Sequence, residues 1–532
     1  MKKHYSGLSF LVACLTMSAF AQTVSAETER KVDPWYQNGL FIYDITSNSI
    51  NPANISNLPY SGLNDISVSY SADKGRYRAF DGSVKSRLFD ANIFGIRKFD
   101  DLSFKGGINY SNNYNEDMRW NATALTSERN PFLLADTLRY DSLTNDSRTE
   151  SFRIDGTVSY QFSDMITAGL TSVYSVAQKT DQSDPRMKAI GARTRIIPGI
   201  NFTFGKFTLG LAGLYEIYHE DDKSSVEDNM ISEHNYVYIF KGLGGFEGKD
   251  GLGYNRRYDG HKFGGSLNFH TSGTFRNFTE LSFISNSEDA IDGGTSYSYK
   301  GGDFSQTTMA LNSRFSYNAN NRIQHDLIIT ASMDNNKGKW YNQKQKKDSW
   351  NMIYYEVTST EIIHKESDMA ASLTYCINFI KSDVPHMTAS VTAGYNKADI
   401  KQFPDENYAK YAKVNAGLSL SKKWIAGKMR YLTDITASMN HAVSPLDISV
   451  ITDTPALRRF YNGYYLPKFT YLSADDYCVS LALGASYPLS LFSKDGWLNL
   501  TVNASMKKYS GDSPLFKDTD KNALGIKLNY TF

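Results

Sequence analysis

The last ten residues of the chain, Ala523-Leu524-Gly525-Ile526-Lys527-Leu528-Asn529-Tyr530-Thr531-Phe532, alternate without a break. Leu524, Ile526, Leu528, Tyr530 and Phe532 are apolar, and Gly525, Lys527, Asn529 and Thr531 stand between them. Successive side chains of a strand point to opposite faces, so this is a strand with one apolar and one polar face. The pattern recurs upstream in Leu498 to Met506, Tyr477 to Ala485, Val414 to Leu420 and Met387 to Tyr395. These segments run to roughly 10 to 14 residues, longer than the ~5 to 6 of globular strands and close to what a tilted strand needs to cross a bilayer. After residue 26 no stretch approaches the ~18 to 20 consecutive apolar residues of a membrane helix, which excludes a helical membrane protein.

Punctuation supplies the architecture. Short connections fall near Asp100-Asp101, Ser163-Asp164, Gly205-Lys206, Ser272-Gly273, Ala319-Asn320, Ser382-Asp383, Lys422 to Gly427 and Ser490 to Asp495. Long polar stretches lie between them, at Asn115 to Glu150, His219 to Gly260, Asn336 to Ser367 and Asn440 to Ser473. Short turns at one end and long loops at the other predict a single transmembrane antiparallel β-barrel with periplasmic turns and extracellular loops. The fold class is all-β with about 18 strands, 16 and 14 being the alternative counts. The first strand at Ile66 to Ser71 pairs with the last at Asn522 to Phe532, because closure leaves no free edge.

Composition agrees with one large β domain. The 532 residues include 36 Tyr and 30 Phe, and 57 Lys+Arg balance 56 Asp+Glu. A net charge of +1 provides no basic footprint for nucleic acid, so no nucleic-acid partner is expected. At the N-terminus, Lys2 and Lys3 precede an apolar stretch from Leu8 to Phe20, the form of a signal peptide. Cleavage is expected after Ala26, with Ala21 as the alternative, which gives a signal peptide at 1–26, an N-terminal segment at 27–65 and a barrel at 66–532. Leu11-Val12-Ala13-Cys14 also fits a lipoprotein cleavage box, with Cys14 as the lipidated residue. Cys376 and Cys478 then remain, both on the polar side of their strands; a disulfide between them is allowed but not required.

The terminal strand, with Leu528, Tyr530 and Phe532 at every second position, resembles the C-terminal assembly signal of bacterial outer-membrane β-barrels. The resemblance implies recognition by the barrel assembly machinery and residence in outer-membrane lipid. Ser49-Ile50-Asn51-Pro52-Ala53 resembles the Asn-Pro-Ala element of the long-chain fatty-acid transporter family and of related barrels of the type 9 secretion apparatus of Bacteroidota. In those 14-stranded families the N-terminal segment is a hatch inside or beneath the barrel, which implies the same here with Trp35, Tyr36, Phe41 and Tyr43 as anchors. The Tyr- and Asn-rich loops resemble those of uncharacterised Bacteroidota outer-membrane barrels.

If the apolar faces meet lipid, the opposite faces line the lumen. The lumen-lining candidates are Lys105, Arg153, Arg195, Lys262, Arg314, Lys413, Arg430, Lys507 and Lys527, together with Asp155, Glu216, Glu280, Asp334 and Asp434. The basic excess predicts a mild preference for anionic solutes, against a reading in which the charges pair with one another. Loop aromatics are the second set of candidates: Trp340, Tyr341, Trp350, Tyr464, Tyr465 and Tyr471, with Tyr461 and Phe469 beside them. They are expected either to bind a sugar, peptide or protein or to fold into the barrel mouth. His219, Glu220, Asp221 and Asp222 are the best ligand-like cluster, but adjacent residues of an extended chain point apart, so no metal or cofactor is expected.

Among function classes, the leading expectation is passage of a solute or hydrophobic molecule across the outer membrane. An accessory barrel that binds a lipoprotein, transporter or secretion partner comes second. No His-Glu-x-x-His, Gly-x-Ser-x-Gly or Cys-x-x-Cys motif occurs, so an outer-membrane hydrolase comes third and no catalytic residue is assigned. A receptor of 22 strands with a folded plug would not fit the chain.

Overall fold

A computed structural model describes residues 33–35, 44–58, 60–118, 122–135, 146–227, 236–293, 298–318, 322–381, 384–404 and 406–532. The signal-peptide reading, Cys14, Tyr36, Phe41, Tyr43 and the turns at Ala319-Asn320 and Ser382-Asp383 lie outside these residues.

Eighteen antiparallel strands form one sheet. They are β1 (Gly62–Gly75), β2 (Lys85–Phe99), β3 (Leu102–Glu116), β5 (Ser147–Gln161), β6 (Ile166–Asp181), β7 (Arg186–Phe204), β8 (Phe207–Ser225), β11 (Asn255–Thr271) and β12 (Phe275–Asp292). The second half comprises β13 (Tyr299–Asn318), β14 (Ile323–Lys347), β15 (Ile353–Lys381), β16 (Val384–Gln402), β17 (Tyr408–Ala426), β18 (Met429–Ser449), β19 (Asp476–Pro488), β20 (Trp497–Tyr509) and β21 (Asp520–Thr531). Three short strands, β4 (Leu134–Ala135), β9 (Tyr236–Phe240) and β10 (Phe246–Asp250), form a separate sheet in the loops. The barrel closes by pairing β1 with β21, from Asp65 opposite Thr531 to Gly75 opposite Lys521. The first strand begins at Gly62, four residues before the expected Ile66, because its start pairs with β2, Gly62 opposite Arg97.

The alternation does what a bilayer requires. Leu211, Leu267, Leu281, Met309, Leu418, Leu481 and Leu524 are exposed on the outer face. Apolar side chains exposed around a closed barrel are the lipid-facing belt of an outer-membrane protein, and the fold places this chain in that membrane. Phe99, Phe162, Phe204, Phe207, Phe275 and Phe492 stand at or beside the short connections, as a girdle at that interface.

The opposite end differs from the sequence expectation in three places, one of them His219 to Gly260, where β8 runs to Ser225, β9 and β10 pair and β11 starts at Asn255. Asn336 to Ser367 is not a loop: β14 and β15 continue through it as a paired hairpin, with only residues 348–352 between them. Trp340 and Tyr341 consequently belong to a strand. Polar residues lose the lipid-facing alternation above the membrane, but the backbone ladder continues because neither strand needs lipid to pair. Asn440 to Ser473 is also partly ordered as secondary structure: β18 runs to Ser449, and α1 (Pro455–Phe460), a π-turn Tyr461–Tyr465 and α2 (Leu466–Leu472) follow.

Candidate functional site: the floor and roof of the lumen

The short connections and both ends of the barrel sheet lie at one end, so that end is periplasmic. Residues 44–58 fold into it. A 3-10 turn, Pro52–Asn57, starts from Asn51, whose Oδ1 accepts a hydrogen bond from the Ala53 amide at 3.0 Å. The turn packs on β3, β5, β6 and β7. It can approach because the wall is glycine there: a Cβ at Gly169 would lie 2.7 Å from the Pro52 carbonyl carbon, and one at Gly199 would lie 2.1 Å from Asn51 Oδ1. The Asn51 amide donates to Asn201 Oδ1 and Asn268 Oδ1, both at 2.9 Å, and Asn201 donates to Asn54 at 2.8 Å. Glu280 completes the seat, accepting from Ser49 Oγ at 2.6 Å and from the Ile50 amide at 3.1 Å. Apolar contacts of Ile55, Leu58, Tyr60, Leu63 and Ile96 anchor the far side. Trp35 lies against Gly484 and Leu432, and Asp33 faces Arg430 at 3.8 Å. Burial pushes the Asp44 carboxyl up despite hydrogen bonds from Thr46.

Directly above this floor is a cavity of about 450 Å³, lined by the 44–58 segment and by Lys105, Arg153, Asp155, Arg195 and Lys262. Arg153 pairs with Asp155 at 3.2 Å, and Glu216 sits beneath Arg195 at 2.5 Å, Lys262 at 3.4 Å and Arg193 at 3.4 Å. Five cations thus meet Asp44, Asp155 and Glu216, an excess of two positive charges. Lys105 lies over the Phe94 ring.

The other candidates are distributed along the wall. Arg314 pairs with Asp326 at 3.0 Å, and Asp334 accepts from Thr308. Lys507 pairs with Asp476 at 3.1 Å, and Arg430 lies over the Trp497 ring at 4.2 Å. Lys413, Asp434 and Lys527 alternate with the exposed Val414, Ile435 and Leu528, which gives them the lumen side. Cys376 and Cys478 are free thiols on different strands. The acidic cluster is divided by its strand: Glu220 and Asp222 are fully buried, whereas His219 is exposed and Asp221 half-buried.

Three loops fold inward over the extracellular end. Residues 122–135 are pinned by wall carboxylates: Glu220 accepts from the amides of Ala124 at 2.7 Å and Thr126 at 2.8 Å, and Arg256 donates to the Phe132 carbonyl at 2.7 Å. β4 pairs with β9, which joins this loop to the hairpin of β9 and β10. The helical loop supplies the aromatic core: Phe460, Tyr464, Tyr465 and Phe469 pack with Phe240, Leu243, Ile400 and Ala409. Tyr471 joins Tyr77 and Phe516, and Trp340 packs on Phe132 beneath the Lys241 ammonium. Tyr341 donates to Asp303 at 3.2 Å. Trp350, at the tip of the β14–β15 hairpin, is 84% exposed. Burial disfavours the Lys468 ammonium, but Tyr464 and Asp81 outweigh it and hold this group above the usual lysine range.

At the seam, Leu528 is exposed, whereas Tyr530 is buried and its hydroxyl donates to Leu489 O at 2.8 Å while accepting from the Leu491 amide at 2.9 Å. Phe532 packs on Phe492 and Tyr530.

Sequence reasoning named Glu220 only as part of an acidic cluster, and missed Glu288, which accepts from Asn130 and Tyr218, the wall glycines and the carboxylates Glu366 and Asp368 beside Arg129. The inward parity of these residues was readable, but their partners come from loops distant in the chain.

Residues 52–532 match the model of a family described as a family of unknown function, DUF6850. No curated protein matches. Solved structures with a similar course include the RagAB peptide importer in its closed-closed state (8% identity, TM-score 0.42, 88% of this chain and 86% of that one). Others are BauA, the ferric preacinetobactin receptor of Acinetobacter baumannii (10%, 0.40, 88% and 80%), and a Pseudomonas aeruginosa FadL homologue (11%, 0.33, 93% and 95%). Likeness at these scores carries no argument about function, so the barrel's own geometry has to carry it.

Proposed function

The chain belongs to the DUF6850 family, and from its geometry we propose that it is a gated outer-membrane passage for a small solute, obstructed at rest by a hydrogen-bonded floor beneath an aromatic vestibule. The observation that carries this reading is the 450 Å³ polar cavity above the floor, bounded by a segment seated on glycine rather than fused into the wall. Its excess of cations favours an anionic solute. The floor segment acts as the hatch, and removing it opens the lumen from the periplasmic side.

Single-channel conductance in a planar bilayer tests the proposal, with a reversal potential in asymmetric salt. Wild-type protein is expected to show brief, rare openings, and deletion of residues 44–57 to give long-lived steps with an anion-leaning reversal potential. Equal conductance of the two proteins removes the floor as a gate, and a cation-leaning potential removes the anionic solute.

One observation favours a second reading, an accessory barrel that docks a lipoprotein or transporter. The β14–β15 hairpin stands beyond the belt with Trp350, Met352, Ile353, Tyr354 and Val357 exposed. Cross-linking in native membranes would then capture a stoichiometric partner, and Trp350→Ala would abolish the capture.

A further inference from the structure

A second cavity, of about 350 Å³, lies inside the roof, large enough for roughly one or two hexose rings. Its lining includes Arg129, His364, Glu366, Tyr411, Lys468 and Tyr471. The cations here are already partnered, and Asp81 and Glu128 leave the lining no net positive charge. Arg129 is held by Glu366 at 2.7 Å and by Asp368, and the Lys468 ammonium meets the Tyr464 hydroxyl at 3.3 Å. An ion entering would have to displace these partners, whereas a neutral ligand would not. What the lining offers instead is direction: carboxylate oxygens that accept, guanidinium and ammonium protons that donate, and phenol rings that stack.

Two buried polar atoms are left over. His364 Nδ1 and Gln402 Oε1 have no hydrogen-bond partner among the described residues, although their side chains are 5% and 3% exposed. Both lie against Gly242, where a Cβ would come within 2.6 Å of the imidazole nitrogen and 2.5 Å of the amide oxygen. An orphaned buried polar group costs about 1–3 kcal/mol, and a ligand hydroxyl, able to donate and to accept, satisfies His364 Nδ1, the one of the two whose side chain lines the cavity.

We infer that this roof cavity is a binding site for a neutral saccharide, stacked on tyrosine and hydrogen-bonded by Arg129, Glu366 and His364. The site rests on the passage reading in one respect, as the station at which a solute waits before the lumen opens.

The test is isothermal titration calorimetry of the full detergent-extracted chain. Maltose, cellobiose, lactose and sucrose serve as neutral probes, with potassium phosphate and choline as charged ones. Saturable heat is expected from at least one disaccharide and from neither charged probe. Tyr411→Ala should weaken binding by about tenfold or more, while Tyr411→Phe, which keeps the ring, stays close to wild type. Assembly of each variant is checked by heat-modifiable gel migration. If Tyr411→Ala fails to assemble, His364→Ala decides: it removes the orphaned Nδ1 and gives up only a long Nε2 contact to Glu366 at 3.8 Å. The inference is overturned if none of the four sugars gives saturable heat, if phosphate or choline binds better, or if folded Tyr411→Ala or His364→Ala protein binds as wild type does. Calorimetry reads a closed barrel, so sugar binding without conductance leaves this site standing and overturns the passage alone.

Discussion

The floor and the roof occupy the two ends of the same lumen and are held by opposite physics. The floor is a short segment on a glycine-flattened wall, held by directional hydrogen bonds from Asn51, Asn201, Asn268 and Glu280. The roof is three loops joined by a strand pairing and an aromatic core around Phe460, Tyr464 and Tyr465. Directional bonds are each worth only about 0.5–1.5 kcal/mol net and can be exchanged for water, so the floor is suited to reversible release. A packed aromatic cluster must come apart together, which suits the roof to being a stable vestibule.

The sharpest way to break this comparison is at Gly199. Gly199→Leu places a side chain where Asn51 and Pro52 now lie, and is expected to evict the floor and raise mean conductance to that of the 44–57 deletion, with the roof unchanged. Single-channel recording reads the first and protease resistance of residues 450–475 the second. The converse is Phe460→Ala, which removes a fully buried ring and should loosen the roof by roughly 3–5 kcal/mol, seen as early cleavage in the helical loop while conductance stays at rest level. Asn51→Ala is milder. It strips the floor of three amide bonds, to Ile200 O, Asn201 and Asn268, and the cap on Ala53, for about 1–3 kcal/mol, and should multiply open probability without changing the step size.

The smallest effect is electrostatic. Burial pushes the Glu247 carboxyl up, but hydrogen bonds from Lys249 and Lys241 outweigh it, and the group sits below its ordinary value of 4.5. A depressed acid stabilises the fold above its ordinary pKa and loses that contribution as pH falls through the depressed value. Cleavage of the β9–β10 hairpin should therefore rise only well into the acid range, by a fraction of a kcal/mol, and Lys249→Ala should move the onset toward neutral pH.

How much of this was legible follows from range. A period of two depends only on neighbouring residues, so Leu524 to Phe532 and its counterparts disclosed the barrel, the strand number and the lumen-facing parity of Arg195, Glu216 and Lys262. Partnership depends on register and on returns from afar. Arg195 stands opposite Glu216 in the β7–β8 ladder, but Glu280 binds Ser49, 231 residues away, and no local pattern marks that contact. The loop aromatics were ambiguous for the same reason: Tyr464 and Trp350 are alike in composition, and only the fold made one a core residue and the other a projecting tip. The reading of Asn336 to Ser367 as a loop failed because membrane alternation was taken as the mark of a strand, and strands persist beyond lipid.

The floor is also leashed. Four residues, 58–61, separate its turn from Gly62 at the start of β1, a reach of about 14 Å when fully extended. A released floor therefore cannot diffuse away; it stays at the doorway of its own barrel at an effective concentration in roughly the millimolar range. Reclosure is then a first-order event whose rate does not depend on how much protein the membrane holds, and each barrel keeps its own time.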